Sequence, residues 1–588
     1  MKTFDHFGDI VQYLESTQDN PTAFNDLKGD HWHSISTKEF IYDLKRLTYG
    51  LIALGMKRGD KVGILSTPSA HWMMSDLAIM LAGGISVPLF SKISDDNFIY
   101  EVAQASIRFL FVGGGEQWRK FIRHQSLFEA AIGINDTQEN SGVMSFHEIL
   151  RKGEVLWQQD PLLFDKLLSE LKGDAVATIV YTSGSTGAPK GAELTHKNLI
   201  HLIMQDVFSW KPNEKYLSIL PLAHIFARQI IYIMIPWGVS VYFLKEPAKF
   251  ARICKELKPE LMIVVPRLLE KIYDKMVAGV EKRGKLVKKI GRWAVKLASL
   301  PKQNILQRLL YHPIANLLVY KHLRAQLGGH WRIILCGGAK LNPELYTFFL
   351  RIGFPVYEGW GLTEGSTCCV NRPGDVKVGT VGRPLPGIQV KIGFNDEILV
   401  NGPTVMKGYY RYPKATKETI DEEGWLHTGD KGKFDEEGRL SIIGRIKEQF
   451  KLSTGEYVVP NKIEQILVHS SSLIDQAMVI GEGKPFAAAL IFPDLEELRA
   501  FKKEKGMENI SDADFLLTKA LKNEIEEALV KTNERINRFE RVSSYRIIIE
   551  PLSVETGELT PTFKIKRSVV REKLQDIIER IYSEEKND

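Results

Sequence analysis

The stretch Tyr181–Gly191 constrains the fold of this chain more than any other. It reads YTSGSTGAPKG and combines small hydroxyl residues with three glycines and one lysine. The apolar run 175–181 predicts a buried strand. The pattern that follows predicts a helix, capped by Thr195, with apolar residues on one face: Leu199, Leu202, Ile203 and Val207. A loop of this composition between a strand and a helix can turn its backbone N–H groups around an anion, which suits a polyphosphate.

The complete string is more specific than its glycines. Gly-rich loops are usually only turns, and this one lacks the Walker spacing because Gly191 follows Lys190. The string resembles the signature of the AMP-forming acyl-adenylating superfamily, which includes acyl-CoA synthetases, luciferases and peptide-synthetase adenylation domains. The resemblance implies that ATP binds to this loop, through Thr182, Ser183, Gly184, Ser185, Thr186, Gly187 and Lys190.

Composition limits the class of protein. A chain of 588 residues is too long for one hydrophobic core, so we expect two or more domains. The net charge of +6 is small for this length, and no basic motif with interleaved aromatics indicates nucleic acid. The four cysteines lack metal-ligand spacing, which favours reduced core thiols in a cytosolic protein: Cys254, Cys336, Cys368 and Cys369.

No segment resembles a signal peptide or a membrane span. The N-terminus has no apolar signal core, and the most apolar run, 230–244, is interrupted by Pro236 and Gly238. That run is shorter than the ~20 residues that a spanning helix needs. We therefore expect a cytoplasmic protein, with peripheral contact to the inner face of a membrane left open.

Strands alternate with helices along the first part of the chain, which predicts an α/β fold. Strands are expected at 61–65, 83–89 and 109–112, helices at 34–54 and 68–82, and an irregular surface segment at 133–175. Short strands at 389–392, 397–400 and 440–443 predict a small β unit. We expect a large N-terminal domain, 1–445, of α/β subdomains plus this unit, and a smaller, mobile α+β domain, 446–588, as in acyl-CoA synthetases and luciferases.

The motif Pro221–Phe226 contains a histidine beside apolar residues. Such a histidine is most often a satisfied core residue. The resemblance implies instead that His224 borders the acyl and nucleotide pockets, and the form PLAHIF is closest to long-chain fatty acyl-CoA synthetases. Three aromatic residues are candidates for the acyl tunnel: Phe208, Trp210 and Trp237.

Two further strands, 332–336 and 354–357, end in glycine-containing turns. Open α/β sheets bind ligands at such strand ends. The resemblance implies that adenine lies against Gly337, Gly338, Ala339, Glu358, Gly359 and Trp360, with the Trp360 ring as a platform. It also implies that Thr363 contacts the α-phosphate, and that Glu364, with Thr182, holds magnesium. The family often has tyrosine where this chain has Trp360.

The C-terminal motifs add the remaining candidate residues. The resemblance implies that Asp430 and Arg445 contact the ribose, and that Lys447 lies at a hinge between the domains. It places the catalytic lysine in the motif 559–567, as Lys564. A lysine suits this role because its compact charge can meet carboxylate and α-phosphate oxygens together.

The stretch 280–327 is basic and helical in pattern. Its apolar stripe is expected to be Leu286, Ile290, Trp293 and Leu297, flanked by Lys285, Lys288, Lys289, Arg292 and Lys296. A solvated helix packed on its own domain is the favoured interpretation. The alternative is that residues 282–297 rest on an anionic membrane surface.

The resemblance implies a reaction in two steps. A fatty acid, long-chain by the resemblance of the motif PLAHIF, reacts with magnesium-ATP to give acyl-AMP and pyrophosphate, and coenzyme A then displaces AMP. An acyl carrier protein as the acceptor is the main alternative, since the basic stretch suits an acidic partner. A non-catalytic nucleotide-binding or membrane-scaffold protein is disfavoured by the joint presence of Glu364, Asp430, Arg445 and Lys564.

Overall fold

The computed structural model describes residues 4–17, 19–134, 143–182, 188–203, 205–300, 302–560 and 564–584, with only the backbone of Lys447 and Glu584. The described chain contains two large sheets, a small antiparallel sheet and a C-terminal α+β unit. The predicted α/β class is confirmed. Within the described ranges, none of the helices combines the length and apolar character that a membrane span requires.

The first large sheet has eight strands with a parallel centre. Across the sheet they are Gly408–Tyr409, Lys190–Thr195, Val176–Thr182, Ile85–Leu89, Lys61–Leu65, Ile107–Val112, Ala130–Gly133 and Met144–Ser145. The helices of this part are Phe7–Glu15, Thr37–Ala53, Ala70–Leu81, Asp95–Ala105, Glu116–Arg123, Phe146–Gln159, Leu163–Glu170 and His196–Ile200. The parallel centre follows from the alternation in sequence, because parallel neighbours need a crossover connection.

The second large sheet has nine strands and borders the candidate site. Across the sheet they are Arg383–Pro384, Ser366–Val370, Val356–Leu362, Ile333–Cys336, Leu261–Val264, Lys215–Ser218, Ser240–Phe243, Phe24–Lys28 and His31–Ile35. Its helices are Ile225–Met234, Phe250–Leu257, Pro266–Glu281, Lys285–Ser299 and Pro343–Arg351, with an irregular helix over 305–325 that contains the π-helical turns Gln307–Tyr311 and Asn316–Tyr320.

The small β unit is confirmed as a four-stranded antiparallel sheet. Its strands are Gln389–Ile392, Glu397–Asn401, Leu426–Phe434 and Leu440–Arg445, beside the helix Pro413–Thr419. The C-terminal unit has the strands Ile474–Ile480, Ala487–Pro493 and Val542–Ile547 and the hairpin Phe450–Lys451 with Tyr457–Val458. Its helices are Pro460–Ser470, Leu495–Glu504, Asp512–Leu516, Lys519–Asn533, Arg567–Lys573 and Gln575–Glu584. Two apolar clusters of this unit draw only on residues 450–582, while the boundary at 446 stays a prediction.

A fully buried polar network connects the two large sheets. Asp76 lies on the helix Ala70–Leu81, and Arg228 and Tyr232 lie on the helix Ile225–Met234. Arg228 Nε donates to the Tyr232 hydroxyl at 2.7 Å and lies 3.3 Å from Asp76 Oδ2, and the Tyr232 hydroxyl donates to Asp76. Removing one partner would leave a buried charge uncompensated, at a cost of about 3–5 kcal/mol.

The expectation for residues 133–175 was wrong. The described part of this segment contains the helices Phe146–Gln159 and Leu163–Glu170. Phe146, Ile149 and Leu150 are buried on the first of them, which packs against Thr37–Ala53. A Ser145 capping box with Glu148 begins the helix. That signal was present in the sequence but was hidden by the surrounding polar residues.

The structure also corrects the element that follows the Gly-rich loop. The strand Lys190–Thr195 pairs antiparallel with Val176–Thr182, so the loop closes a hairpin and does not join a strand to a helix. Thr195 does cap a helix, as predicted, by accepting from the Asn198 backbone N–H, but the helix ends at Ile200. Leu202 and Ile203 are buried in the turn beyond it.

The apolar face of the helix Lys285–Ser299 differs from the predicted stripe. The buried residues are Gly291, Ala294, Leu297 and Ala298. Leu286 is 72% exposed and Trp293 is 36% exposed, so only Leu297 of the expected stripe is fully buried. A Cβ on Gly291 would lie 2.4 Å from a methyl group of Val280. Small residues therefore bring this helix close to Pro266–Glu281 and turn its larger apolar residues toward solvent.

The buried histidine His196 gives a testable prediction about stability. Burial lowers its pKa to about 4, whereas the unfolded chain has a value of about 6.5. As pH falls below about 6.5 the unfolded state gains a proton that the native state does not, so we expect a loss of about 1.4 kcal/mol per pH unit until about pH 4. In His196→Gln, the drop in melting temperature between about pH 7 and about pH 5 should shrink. The exposed His330 supplies the control variant His330→Gln; an equal drop in both variants would contradict the prediction.

Candidate active site

The candidate site lies at the carboxyl ends of two neighbouring parallel strands in the second sheet. Ile333–Cys336 leads into Gly337-Gly338, and the next strand, Val356–Leu362, carries Glu358, Gly359 and Trp360. The second strand runs on beyond the predicted end at 357, because it turns into an antiparallel pair with Ser366–Val370. Gly338 has φ +82°, and a Cβ on Gly359 would lie 3.2 Å from the Cys369 carbonyl oxygen. Gly338 therefore adopts a backbone conformation that favours glycine, and the absence of a side chain at Gly359 allows the close approach of Cys369.

Glu358 anchors the turn that follows Gly337. Its carboxyl group is buried and accepts from the Leu341 backbone N–H at 2.8 Å. Burial raises the pKa of this carboxyl to about 7. The contact with Leu341 gives Glu358 a clear structural role, and its predicted contact with adenine stays a prediction.

Trp360, Asp430 and Arg445 form one cluster. The Trp360 indole donates to Asp430 Oδ2 at 2.9 Å, and Arg445 Nε lies 3.0 Å from Asp430 Oδ1. Asp430 and Arg445 are opposite each other on adjacent strands of the small β unit. The structure therefore brings together one predicted adenine residue, Trp360, and both predicted ribose residues, although Trp360 and Asp430 lie 70 positions apart in sequence. The hydrogen bond from the indole N–H to Asp430 forms because residue 360 is a tryptophan.

A second cluster contains Glu364, Tyr409 and Lys190. The Tyr409 hydroxyl donates to Glu364 Oε1 at 2.7 Å, and Lys190 Nζ lies 5.3 Å from the centre of the Tyr409 ring. Burial, and then the Glu364 charge, raise the pKa of Tyr409, so the hydroxyl keeps its proton and can donate. Tyr409 was not among the residues predicted from the sequence. Tyr409 follows the Gly-Pro pair at 402–403, but nothing in the local sequence indicates that its hydroxyl contacts Glu364.

The predicted phosphate loop is described only in part. Thr182 and Lys190 pair at the ends of the hairpin, and the Thr182 hydroxyl donates to the Lys190 carbonyl at 3.4 Å. The remaining candidates lie outside the described residues: Ser183, Gly184, Ser185, Thr186 and Gly187. Thr363 is half-buried beside Glu364.

His224 caps the helix Ile225–Met234. Its Nδ1 accepts from the Phe226 backbone N–H at 3.2 Å. Burial, and then the charge of Lys564, lower the pKa of this imidazole to about 4, so it is neutral near pH 7. A neutral ring with Nδ1 as an acceptor carries its proton on Nε2.

Lys564 of the C-terminal unit lies close to these groups. The loop around it is held by the Lys564 backbone N–H donating to Thr560 Oγ1 at 3.0 Å and by the bridge between Leu559 and Ile565. Lys564 is exposed to solvent. Desolvation of its ammonium group by nearby protein atoms, and then the charge of Arg445, lower its pKa, and the charge of Asp430 opposes this shift. The predicted lysine thus faces the Asp430 cluster and His224.

Polar contacts join the C-terminal unit to the rest of the chain. Arg535 Nη1 lies 3.2 Å from Glu344 Oε1, and Arg267 pairs with Asp475. Gln465 Nε2 donates to the Lys340 carbonyl at 3.1 Å. Lys447 lies between the units, in the short helical turn Ile446–Glu448. Its side chain lies outside the described part, so its role as a hinge stays a prediction.

An apolar cavity lies beside the candidate site. Phe226, Ile230 and Ile233, which follow His224 on the same helix, form part of its wall, and Gly359 lies at its edge. The other lining residues are Leu202, Gln205, Val207, Phe208, Trp210, Leu335, Cys336, Tyr357, Thr367, Val370 and Leu385. Two of the three predicted tunnel aromatics, Phe208 and Trp210, thus line this cavity. Trp237 is not among the lining residues, and its indole donates to the Ile203 carbonyl at 3.4 Å.

The side chains fit magnesium only in company with phosphate. Among the described residues there is no group of three or more His, Cys, Asp or Glu that could hold a metal ion. Glu364 offers one carboxylate near the phosphate loop, and protein-bound magnesium commonly takes one or two carboxylates plus the phosphates of its substrate.

Comparisons with known proteins identify the family and relatives of this chain. The AMP-binding enzyme family matches residues 13–410, and the AMP-binding enzyme C-terminal domain matches residues 447–586. A long-chain-fatty-acid–CoA ligase of Mycobacterium bovis is 32% identical over 99% of this chain and 98% of its own length. Fatty acyl-CoA synthetase A of Dictyostelium discoideum is 31% identical over 100% of this chain and 92% of its own.

Two solved structures share the fold. The adenylation domain of a carboxylate reductase from Mycobacterium chelonae aligns with a TM-score of 0.74 and 19% identity, covering 98% of this chain and 91% of that one. An anthranilate CoA ligase in complex with anthranoyl-AMP aligns with a TM-score of 0.71 and 18% identity, covering 98% and 99%. With the family matches over both parts of the sequence, these similarities lead to one conclusion: this chain belongs to the AMP-binding enzyme family.

Proposed function

We propose that this enzyme uses ATP to convert a long-chain fatty acid into acyl-AMP, and then transfers the acyl group to coenzyme A with release of AMP. The observation that carries the proposal is the position of His224 and Lys564. His224 begins the helix whose residues Phe226, Ile230 and Ile233 line an apolar cavity, which suits a hydrocarbon chain. The charge of Lys564 acts on His224, and the charges of Asp430 and Arg445, a pair that suits a ribose, act on Lys564. The curated relatives described above support it, because they are named for long-chain fatty acids or fatty acyl-CoA.

In the first half-reaction a carboxylate oxygen attacks the α-phosphorus of ATP and pyrophosphate leaves. Negative charge on the carboxylate and the phosphates must be offset while these groups approach. Lys564 supplies a cation that can meet both, and Lys190 and Thr363 provide further contacts to phosphate. Magnesium, held by Glu364 with Thr182, would neutralise phosphate charge.

The Asp430 cluster binds the nucleoside in this proposal. Each carboxylate oxygen of Asp430 already accepts one donor, from Trp360 and Arg445. A carboxylate oxygen has a second lone pair, so both can still accept from the ribose hydroxyls. Arg445 adds a ribose contact, and the Trp360 ring provides a face for adenine.

The second half-reaction needs space where Lys564 lies. The coenzyme A thiol attacks the acyl carbon and AMP leaves, so the C-terminal unit has to withdraw the lysine after adenylation. The ion pairs that hold this unit are partly exposed: Arg535 and Glu344 are 49% and 56% exposed. Such pairs contribute about 0–1 kcal/mol each. The unit can therefore swing about Lys447 at small cost.

Coenzyme A is the favoured acceptor. The named curated relatives refer to CoA and not to a carrier protein, so the carrier-protein alternative is not favoured. A cytoplasmic location remains part of this proposal. Contact between residues 282–297 and a membrane is a separate proposal, which depends on the surface described in the next subsection.

The decisive test is isotope exchange between pyrophosphate and ATP. We expect exchange only when a long-chain fatty acid is added, and acyl-CoA with AMP when coenzyme A is also present. Production of ADP, or exchange without fatty acid, would exclude the proposed reaction.

Lys564→Ala separates the two half-reactions. We expect adenylation to fall by about 100-fold to 1,000-fold, because the cation that offsets phosphate charge is lost. Thiolysis of supplied acyl-AMP should stay within about two-fold, because the lysine is not needed there. Lys522→Ala, at an exposed position on the helix Lys519–Asn533, is the control and should leave both rates unchanged. Equal losses in both half-reactions would remove Lys564 from this role.

Tyr409→Phe tests whether Glu364 needs its hydrogen-bond partner. Loss of a hydrogen bond to a charged group costs about 1.5–3 kcal/mol, and we expect KM for magnesium-ATP to rise about ten-fold with partial recovery at higher magnesium. The neighbouring variant Tyr410→Phe is the control, because its hydroxyl does not hydrogen-bond Glu364. An unchanged KM in Tyr409→Phe would show that Glu364 does not depend on this contact.

Ile233→Phe tests whether the apolar cavity holds the acyl chain. The larger ring fills part of the cavity wall, so kcat/KM for an acid of about sixteen carbons should fall about ten-fold while an acid of about eight carbons is little affected. Trp237→Phe, outside the cavity lining, should leave the preference for chain length unchanged. The cavity would be excluded as the acyl site if Ile233→Phe lowered kcat/KM equally for the longer and the shorter acid.

A further inference from the structure

An apolar and basic face lies on the N-terminal part, outside the candidate site. We use this term for the outward surface of the helix Lys285–Ser299 and the irregular helix 305–325. Its exposed apolar side chains are Leu286, Val287, Trp293, Ile305, Leu306, Leu309, Leu310, Tyr311, Ile314, Leu317 and Leu318. Ile305 is 78% exposed and Leu309 is 71% exposed. Contiguous apolar surface on this scale commonly marks an interaction site.

The two helices form one surface. The rings of Trp293 and Tyr311 meet edge to face, with centroids 6.2 Å apart. Tyr320 secures the pair from beneath by donating to the Ala294 carbonyl at 2.9 Å. Ala315, Val319, Tyr320 and Leu323 are buried against the domain. The inward side is thus already occupied by other residues, and the exposed leucines and isoleucines have no place in the core.

The same segment carries only positive charge. Between residues 282 and 343 the sequence contains no aspartate or glutamate. Eleven lysines and arginines lie between 282 and 327: Lys282, Arg283, Lys285, Lys288, Lys289, Arg292, Lys296, Lys302, Arg308, Lys321 and Arg324. A chain with a net charge of only +6 therefore concentrates many cations beside this exposed apolar surface.

Few of these cations are neutralised by carboxylates. Glu281 pairs with Lys288 at 2.8 Å and with Arg292 at 2.5 Å. Within the described ranges, Lys285, Lys289 and Arg308 have no carboxylate oxygen within 4.0 Å of a side-chain nitrogen. They remain available to an anionic partner.

We propose that this face binds the surface of an anionic membrane. Apolar side chains flanked by lysine and arginine match the boundary between acyl chains and anionic headgroups, and Trp293 and Tyr311 are of the types enriched there. A second copy of this chain is disfavoured as the occupant, because it would bring the same positive charges together. Since no described helix can span a bilayer, the face lies on the membrane and does not cross it.

The proposal extends the function proposed above, because a fatty acid partitions into membranes and an enzyme on that surface meets it at high concentration. Binding itself requires neither ATP nor coenzyme A. Failure of membrane binding is thus distinguishable from failure of the proposed reaction, which is measured with fatty acid in detergent.

Flotation of the full chain with vesicles tests the proposal. We compare phosphatidylcholine vesicles with vesicles that contain about 30% phosphatidylglycerol, and expect at least about ten-fold stronger binding to the anionic ones, which weakens between about 0.1 M and about 0.5 M NaCl. The triple variant Ile305→Ser, Leu309→Ser, Leu317→Ser should bind about ten-fold less. The triple variant Lys285→Gln, Lys289→Gln, Arg308→Gln should bind the anionic vesicles about as weakly as the neutral ones.

A matched control removes equally exposed apolar side chains elsewhere. Leu162→Ser, Phe394→Ser, Leu517→Ser changes residues that are 72%, 96% and 71% exposed, and should float like the unmodified chain. Unchanged flotation of the Ile305 triple variant, or equal binding to both kinds of vesicle, would overturn the proposal. So would a dimer that only the Ile305 triple variant dissociates, because the face would then be an interface between copies of this chain.

Discussion

The buried contact among Asp76, Tyr232 and Arg228 holds together the structure on which the site depends. It connects a helix of the first sheet to the helix Ile225–Met234, and all three side chains are fully buried. Separating the partners of a buried ion pair is strongly destabilising, so the contact favours one position for the second helix. That helix begins at the His224 cap and forms a wall of the apolar cavity. The cavity and the histidine are thereby placed relative to both sheets at once.

The site is assembled from segments that do not meet in sequence. Asp430 is its centre, since Trp360 and Arg445 contact its two oxygens and Lys564 lies close enough for its pKa to respond to that carboxylate. Trp360 lies on a strand of the second large sheet, and Asp430 and Arg445 lie on adjacent strands of the small β unit. Rigid elements of this kind position polar groups well. Lys564 is the exception, because its unit is held mainly by polar contacts that are partly exposed. That difference in attachment is what a reaction with two half-steps needs.

Much of the fold could be predicted, and the errors have physical causes. The parallel strands near 61–65 and 107–112 follow from apolar runs that alternate with helices. The helices of 146–170 were missed because they have few buried residues, and the many polar residues between these obscure the helical periodicity of the apolar positions. The hairpin strand Lys190–Thr195 was missed because its pairing with Val176–Thr182 is a tertiary contact. The apolar stripe at 286–297 was misplaced because the close approach at Gly291 selects a different face of the helix.

The sequence by itself determined the class of fold, the family and the identity of most candidate residues, because these depend on local pattern and on motifs that are contiguous in the chain. Only the tertiary structure decided that Trp360 donates to Asp430, that Tyr409 contacts Glu364 and that Phe208 and Trp210, but not Trp237, line the cavity. It also decided that the leucines of 305–318 face solvent. A hydrogen bond or an exposed surface depends on distances between segments far apart in the chain, and these distances cannot be read from the local sequence pattern.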